Sequence, residues 1–215
     1  LTIELYNQFI DQNNFLKKIK TELLNVNPNN IDQLNNTANN IKNLLQTGNF
    51  TSDQKDKILK NYAELRKQHN NILQVAVRSS AIAEDLPGAS FAGQQDTYLN
   101  IETSEDLIES IIKCYASLFN ARAISYRYTN KIDFSQVKMS VAIQKMVRSD
   151  IGSAGVAFSI DPETGYNKAV VINSAYGLGE LVVSGGVKPD EIIIDKRSIT
   201  EKAEYPIIDK KIGNK

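Results

Sequence analysis

The chain has 215 residues, and its 25 basic and 25 acidic side chains cancel to a net charge of +0. Hydrophobic residues at 41% and charged residues at 23% are those of an ordinary globular protein, with chain enough for one sizeable core or two small ones. That balance excludes a general binder of nucleic acid or of anionic membranes, which needs a basic excess, and no apolar run approaches the roughly 20 residues of a membrane span.

Leu1-Thr-Ile-Glu has neither a basic nor an apolar leader, so it does not read as a signal peptide. The single cysteine, Cys114, has no disulfide partner within the chain and points to a reducing, cytoplasmic setting. Composition shifts near residue 74: 16 of the 22 Asn fall before it and ten of the 11 Gly after it.

The first part reads as helices. Thr2 is placed to cap one helix carrying Ile3, Tyr6, Phe9, Ile10, Leu16, Ile19 and Leu23 on a single stripe. A second stripe, Ile31, Leu34, Ala38, Ile41 and Leu45, follows the Pro28-Asn-Asn turn and stops at Gly48. A third opens on Thr51 and Gln54 at capping-box spacing and carries Ile58, Tyr62 and Leu65. The Asn-rich surface of this part is read as solvated helix face or compositional bias, with no chemistry of its own.

Strands are expected from Leu73 to Arg78 and from Gln95 to Ile101, then a long amphipathic helix from Thr103 or Ser104 with Leu107, Ile108, Ile111, Tyr115, Leu118 and Phe119 inward. Further strands are expected at Val137–Val147, Ala154–Ile160, Ala169–Asn173 and Glu191–Asp195, with Asp161-Pro-Glu-Thr-Gly165 as a tight turn. Short connections favour antiparallel pairing, so the fold class is α/β (α+β), with a helical N-terminal segment followed by a mixed, largely antiparallel sheet.

Three segments offer chemistry. Arg78 ends a strand with a guanidinium fork suited to phosphate, Ser79, Ser80 and Ser90 add hydroxyls, and Gly88, Ala89, Ala92 and Gly93 leave backbone N–H groups accessible to an anion. A surface loop with Arg78 in an ordinary salt bridge fits the same residues, and side-chain chemistry alone leaves both open. Val141 to Arg148 is a strand whose end, Gln144 to Val147, could offer backbone groups to a flat heterocycle edge, or it is simply core. Tyr176-Gly-Leu-Gly-Glu180 brings backbone close to a partner and presents Glu180 to hydroxyls, or it is a turn with a solvated Glu.

Other nucleotide fingerprints are absent: there is no G-x-x-x-x-G-K-[ST], and Gly177-Leu-Gly lacks the third glycine of a dinucleotide loop. His69, the only histidine, has no second histidine for a metal site and no setting for a triad. Cys114 reads as a packed thiol. The pairs Glu84/Asp85 and Asp161/Glu163 are as well explained by turns and surface as by Mg²⁺.

Together the segments resemble the N-terminal nucleotide-binding domain of the phosphoenolpyruvate synthase family (pyruvate, water dikinase), an ATP-grasp fold. The resemblance rests on Val75-Ala-Val-Arg-Ser-Ser-Ala-Ile-Ala-Glu-Asp-Leu-Pro, Ala89-Ser-Phe-Ala-Gly-Gln-Gln-Asp-Thr-Tyr-Leu-Asn100 and Arg122-Ala-Ile-Ser-Tyr-Arg127. It continues through Gln144-Lys-Met-Val-Arg-Ser-Asp150, Gly155-Val-Ala-Phe-Ser-Ile-Asp161 and Tyr176-Gly-Leu-Gly-Glu-Leu-Val-Val183. Ile82 departs mildly from the family's more usual Thr.

The resemblance implies that Arg78 and Ser79 meet ATP phosphates, with Gly93 and Thr97 in a covering loop. Gln144 and the backbone of Lys145, Met146 and Val147 would face adenine, and Glu180 the ribose. It divides the chain into a helical part (1–74), an ATP-grasp core (75–197) and the start of a C-terminal part (198–215). In the family, ATP phosphorylates a histidine on a swivelling domain and then pyruvate, giving phosphoenolpyruvate, AMP and phosphate; rifampin-type phosphotransferases share the design but modify an antibiotic.

The family's phosphate-gripping Gly-Gly-Lys strand lies before the point where Leu1 aligns, and its Mg²⁺ ligands mostly beyond Lys215. The expectation is therefore a piece of a dikinase with no catalytic or metal residue of its own, weak ATP binding and no turnover. A non-catalytic truncated module is the alternative. Apolar surface left uncovered by missing parts would favour a homodimer.

Overall fold

A computed structural model of the chain describes residues 1–24, 26–69, 73–81, 96–201 and 205–213, which fall into two compact units, Leu1–Met146 and Val147–Lys215. The compositional shift near residue 74 lies inside the first of these.

Unit 1 opens with α1 (Ile3–Gln12) and α2 (Phe15–Leu24), where the sequence pattern had suggested one helix. The chain turns at Asn13-Asn14, where Asn14 takes φ 54°, a left-handed conformation that Asn tolerates better than most residues. Asn13 fixes the corner by donating to the Phe9 carbonyl at 2.8 Å. The turn rotates Phe15 into the core and leaves Leu16 48% exposed, contrary to the single-stripe reading. Thr2 holds the N-cap position of α1 but makes no side-chain cap bond.

The next two helices follow the pattern. In α3 (Ile31–Gln46) Asn30 caps the Gln33 N–H, and Leu34, Ala38, Ile41 and Leu45 are buried, while Ile31 is exposed. In α4 (Ser52–Lys67) both halves of the Thr51/Gln54 capping box form, and Gln54 also bonds Gln12 at 3.0 Å and Gln8 at 3.2 Å. Gly48 is required by packing: a Cβ there would lie 2.5 Å from Phe9 and 2.7 Å from Phe15. Phe9 sits at the middle of an aromatic cluster with Phe15, Phe50 and Tyr115, and Tyr6 stacks edge-on against Tyr115.

These helices pack with a three-stranded antiparallel sheet, ordered β2-β1-β3, made of β1 (Val75–Ala81), β2 (Thr97–Ile101) and β3 (Met139–Lys145). Its inner face, Val75, Val77, Met139 and Val141, is buried. Against it lies α5 (Ser104–Ser117), N-capped by Thr103, with Leu107, Ile111, Cys114 and Tyr115 buried. The expected long helix stops at Ser117, and a separate α6 (Ala121–Thr129) follows Asn120.

Unit 2 is an antiparallel meander, ordered β4-β5-β6-β7, built from β4 (Ser153–Phe158), β5 (Ala169–Tyr176), β6 (Asp190–Asp195) and β7 (Ile207–Lys211). Two single turns of helix, α7 (Gly179–Val183) and α8 (Lys196–Thr200), accompany it. The Asp161–Gly165 turn forms as expected, with Gly165 at φ 72° and the Asp161 carboxylate accepting from Glu163 N–H and Thr164 Oγ1. The strand β7 carried no expectation. Ala169 and Val171 are buried, but Tyr176, Val183, Tyr205, Ile207 and Ile208 are exposed, so this unit does show uncovered apolar surface.

Candidate functional site

The outer face of the β2-β1-β3 sheet is set by alternation along β1. Val75 and Val77 point inward, so Arg78 and Ser80 lie on the solvent side and are exposed. Arg78 is directly opposite Thr97 on β2 and Ala142 on β3. Directly opposed residues of an antiparallel pair have Cβ atoms about 5 Å apart, so these two small side chains flank the guanidinium without covering it. Gln144, opposite Ala76 and exposed, lies on the same face. Among the described residues Arg78 forms no ion pair, so the ordinary salt-bridge reading of it is not realised there.

The face thus gathers one cation, one amide and the hydroxyls of Thr97, Ser80 and Ser140, from three strands, over a floor of Ala76 and Ala142. Ser140 and Ala142 were not singled out from the sequence, although the alternation Ser140, Ala142, Gln144 against Val141, Ile143 was there to be read.

Ser79 falls on the opposite side of the strand, where its hydroxyl donates to the Asp96 carbonyl at 3.1 Å. Its side chain anchors the start of β2 and is not directed to the Arg78 face. Gly93, with Gly88, Ala89, Ser90 and Ala92, lies outside the described residues, as do Glu84 and Asp85.

β3 is an edge strand of this sheet, and three main-chain bonds fix which of its groups face outward. Val141 exchanges main-chain hydrogen bonds with Leu1, donating to its carbonyl at 3.1 Å and accepting from its amine at 2.7 Å. Met146 N–H instead donates toward β1, to the Gln74 carbonyl at 2.9 Å. By the same alternation the N–H and C=O of Lys145 point away from β1, at the outer edge. The Lys145 side chain approaches His69 Nδ1 at 3.3 Å. Met146 does not offer its thioether freely: Sδ accepts the Asn100 N–H at 3.0 Å.

Val147 and Glu180 belong to unit 2. Val147 is 82% exposed, and its carbonyl accepts from Ser149 N–H at 2.8 Å. Glu180 occupies the first turn of α7, which β5 enters through Gly177 at φ 86°. Its carboxylate is exposed and makes no ion pair among the described residues. Asp161 is committed to its turn, which holds its carboxyl below the usual carboxylate range. Among the described residues no group of three or more His, Cys, Asp or Glu could hold a metal ion. No helix among them is long and apolar enough to cross a membrane. Burial, with the Asp96 carboxylate next, pushes the Cys114 thiol up to about 12, which rules it out as a nucleophile.

The family model "Pyruvate phosphate dikinase, AMP/ATP-binding domain" matches residues 1–215. The phosphoenolpyruvate synthase of Helicobacter pylori is 50% identical over 216 residues, covering all of this chain and 26% of that protein. Those of Aquifex aeolicus and Escherichia coli are 45% and 40% identical, again over the whole chain, and cover 25% and 27% of those proteins. The chain spans about a quarter of the length of the curated relatives it matches.

Proposed function

The chain belongs to the pyruvate phosphate dikinase AMP/ATP-binding domain family, and from that membership we propose that it is the nucleotide-holding part of a phosphoenolpyruvate synthase. The observation that carries the reading is Arg78: an exposed guanidinium without an ion pair among the described residues, between Thr97 and Ala142, on one face with Gln144.

In this proposal Arg78 holds the ATP phosphates through its fork of N–H donors, and Thr97 adds a hydroxyl beside it. Gly93 contributes from the covering loop. Gln144 and the outward main chain of Lys145, with Met146 and Val147 following, read the adenine edge, and Glu180 takes the ribose hydroxyls. Ser79 acts by fixing the start of β2, since its hydroxyl is already bonded. The 1–74, 75–197 and 198–215 segments are the helical, ATP-grasp and C-terminal parts of that architecture.

ATP supplies the phosphoryl group, which in the whole protein would pass to a histidine of another domain and then to pyruvate, with Mg²⁺ at the polyphosphate. Phosphoryl transfer depends on electrostatic groups that converge on the reacting phosphate, and Arg78 would supply one of them. A cytoplasmic location and self-association through the exposed apolar surface of unit 2 belong to the same proposal.

Calorimetric titration of Mg-ATP into the chain and its Arg78→Ala variant tests the reading. Weak binding is expected, with a further loss of about tenfold or more in the variant, the worth of a charge-assisted hydrogen bond. Because Arg78 is exposed and makes no ion pair among the described residues, melting should be unchanged within about 0.5 kcal/mol. Equal affinity of the two proteins for ATP would remove Arg78 from the site. AMP formation by the chain alone would overturn its assignment as a holding part only.

A further inference from the structure

On the inner side of the β2-β1-β3 sheet, one carboxylate is tied into the start of β2. Asp96 immediately precedes Thr97, the residue that stands opposite Arg78, and it is half-buried. Its main-chain carbonyl accepts from Ser79 Oγ of β1 at 3.1 Å, and Cys114 Sγ of α5 lies 3.9 Å from the same oxygen. Its side chain reaches two more groups. Oδ2 accepts from the Tyr98 hydroxyl at 3.3 Å, and Oδ1 from Nδ2 of Asn120, the residue at the corner between α5 and α6. One residue thus joins β1, β2, α5 and the α5–α6 corner, on the side of the sheet away from Arg78.

Among the described residues the Asp96 carboxylate makes no ion pair. Its charge is felt on the inner face: after burial, it is the next cause that raises the Tyr98 phenol and the Cys114 thiol. For a phosphate held at Arg78, a negative charge so near is unfavourable. An acid whose charge opposes the ligand can help only through geometry, and the peptide group between Asp96 and Thr97 is where that geometry acts. Ser79 holds the carbonyl of that peptide, and the two donors on the carboxylate hold the residue it belongs to. The direction in which Thr97 leaves Asp96 is therefore fixed. Nothing further along β2 can fix it, since the irregular pairing between Tyr98 and Ile101 uncouples the register of the two ends.

We propose that Asp96 is a positioning residue for the nucleotide phosphates: through its carbonyl and carboxylate it holds Thr97 beside Arg78, and so sets phosphate affinity without touching the nucleotide. The proposal rests on the assignment of the outer sheet face to ATP.

The test titrates Mg-ATP and, separately, adenosine into the whole chain, followed by the amide and methyl resonances of the protein. Asp96→Ala and Thr97→Val should each weaken Mg-ATP about fivefold, the worth of one ordinary hydrogen bond, and leave adenosine as in the parent. In the double variant the two losses should not add, because the first acts through the second. Asp96→Asn keeps an oxygen for Asn120 and turns its amide to the Tyr98 hydroxyl, so it should bind Mg-ATP at least as well as the parent. Where the alanine variant unfolds by circular dichroism, Tyr98→Phe, which deletes only the phenol oxygen, takes its place beside Thr97→Val. Additive losses, a parallel loss of adenosine, or an Asn variant as weak as the Ala variant would overturn the proposal and leave the nucleotide face standing. Arg78→Ala separates the two assignments. No loss of Mg-ATP there removes the nucleotide from this face and the role of Asp96 with it, whereas a loss at Arg78 with none at Asp96 sinks the Asp96 proposal alone.

Discussion

Raising the pH above 9 should weaken unit 1 through Cys114, the buried acid that feels the change first. The thiol lies between α5 and β1, with Sγ 3.7 Å from the Val77 carbonyl and 3.9 Å from that of Asp96. Burial first, and the Asp96 carboxylate second, raise its pKa from 9.0 to about 12. Below pH 9 the thiol is protonated in both folded and unfolded chains, and stability is at its full value. Above pH 9 the unfolded chain releases the proton while the folded chain keeps it, so stability falls as pH rises toward 12. A proton bound only in the folded state is worth about 1.4 kcal/mol per pH unit. Because ionisation is only half complete at pH 9, the loss between pH 8 and pH 10 is on the order of 1 kcal/mol from the cited shift. That is a visible part of the roughly 5–15 kcal/mol that holds a domain folded. Urea unfolding at pH 8, 9 and 10, followed by helical circular dichroism, reads unit 1, where α1 to α6 lie. Cys114→Ala should lower stability by a fixed amount and make the curve less steep over this window. Parallel curves for parent and variant would refute the argument. Tyr6, Tyr98 and Tyr115, also raised by burial, add a loss of the same sign that sets in as the pH approaches 10, so the difference between parent and variant isolates Cys114.

Two further substitutions separate the local causes of the fold. Thr51→Ala removes the hydroxyl that caps Gln54 N–H at 3.3 Å, and chemical denaturation should show a loss of about 1 kcal/mol. Gly155→Ala would place a Cβ 2.2 Å from the Asn173 carbonyl oxygen and 2.8 Å from Ser174 Cα. Backbone cannot yield as a side-chain tip does, so amide exchange protection should collapse across β4 and β5 while α3 to α5 keep theirs; protection lost equally in both units would show that they do not unfold separately.

The helices of unit 1 were legible where a stripe and a cap agreed. Leu34, Ala38, Ile41 and Leu45 recur at helical spacing behind Asn30, and Thr51 with Gln54 marks α4 by side-chain chemistry alone. The stripe from Ile3 to Leu23 misled because periodicity says nothing about a corner that preserves it. Asn13 and Asn14 break the helix by local hydrogen bonding and a left-handed turn, and Phe15 replaces Leu16 in the core. Some of the abundant Asn therefore has structural work: the Asn13 side chain bonds both the C=O and the N–H of Asn49, and Asn30 caps α3. The strand β7 was invisible because Ile207 and Ile208 are adjacent and both exposed, giving no alternation to read.

The outer sheet face was only half legible, and the missing half is a matter of register. Along β3, alternation alone puts Ala142 and Gln144 on one side. Which residue of β2 stands opposite Arg78 depends instead on a bulge. Val75 pairs with Ile101, but Val77 pairs with Tyr98, so β2 spends one extra residue between them. Had the first register continued, Tyr98 would face Arg78, and its ring would lie over the outer face in place of the Thr97 hydroxyl. The bulge places Tyr98 inward, where its hydroxyl bonds Asp96 and its ring meets Lys113 of α5. Asn100 makes this possible by accepting φ 58°, and its N–H is held by the sulfur of Met146, 46 residues along the chain. A residue proposed to face adenine thus also holds Asn100 at the bulge that brings Thr97 to Arg78, a coupling that no local reading of either segment contains.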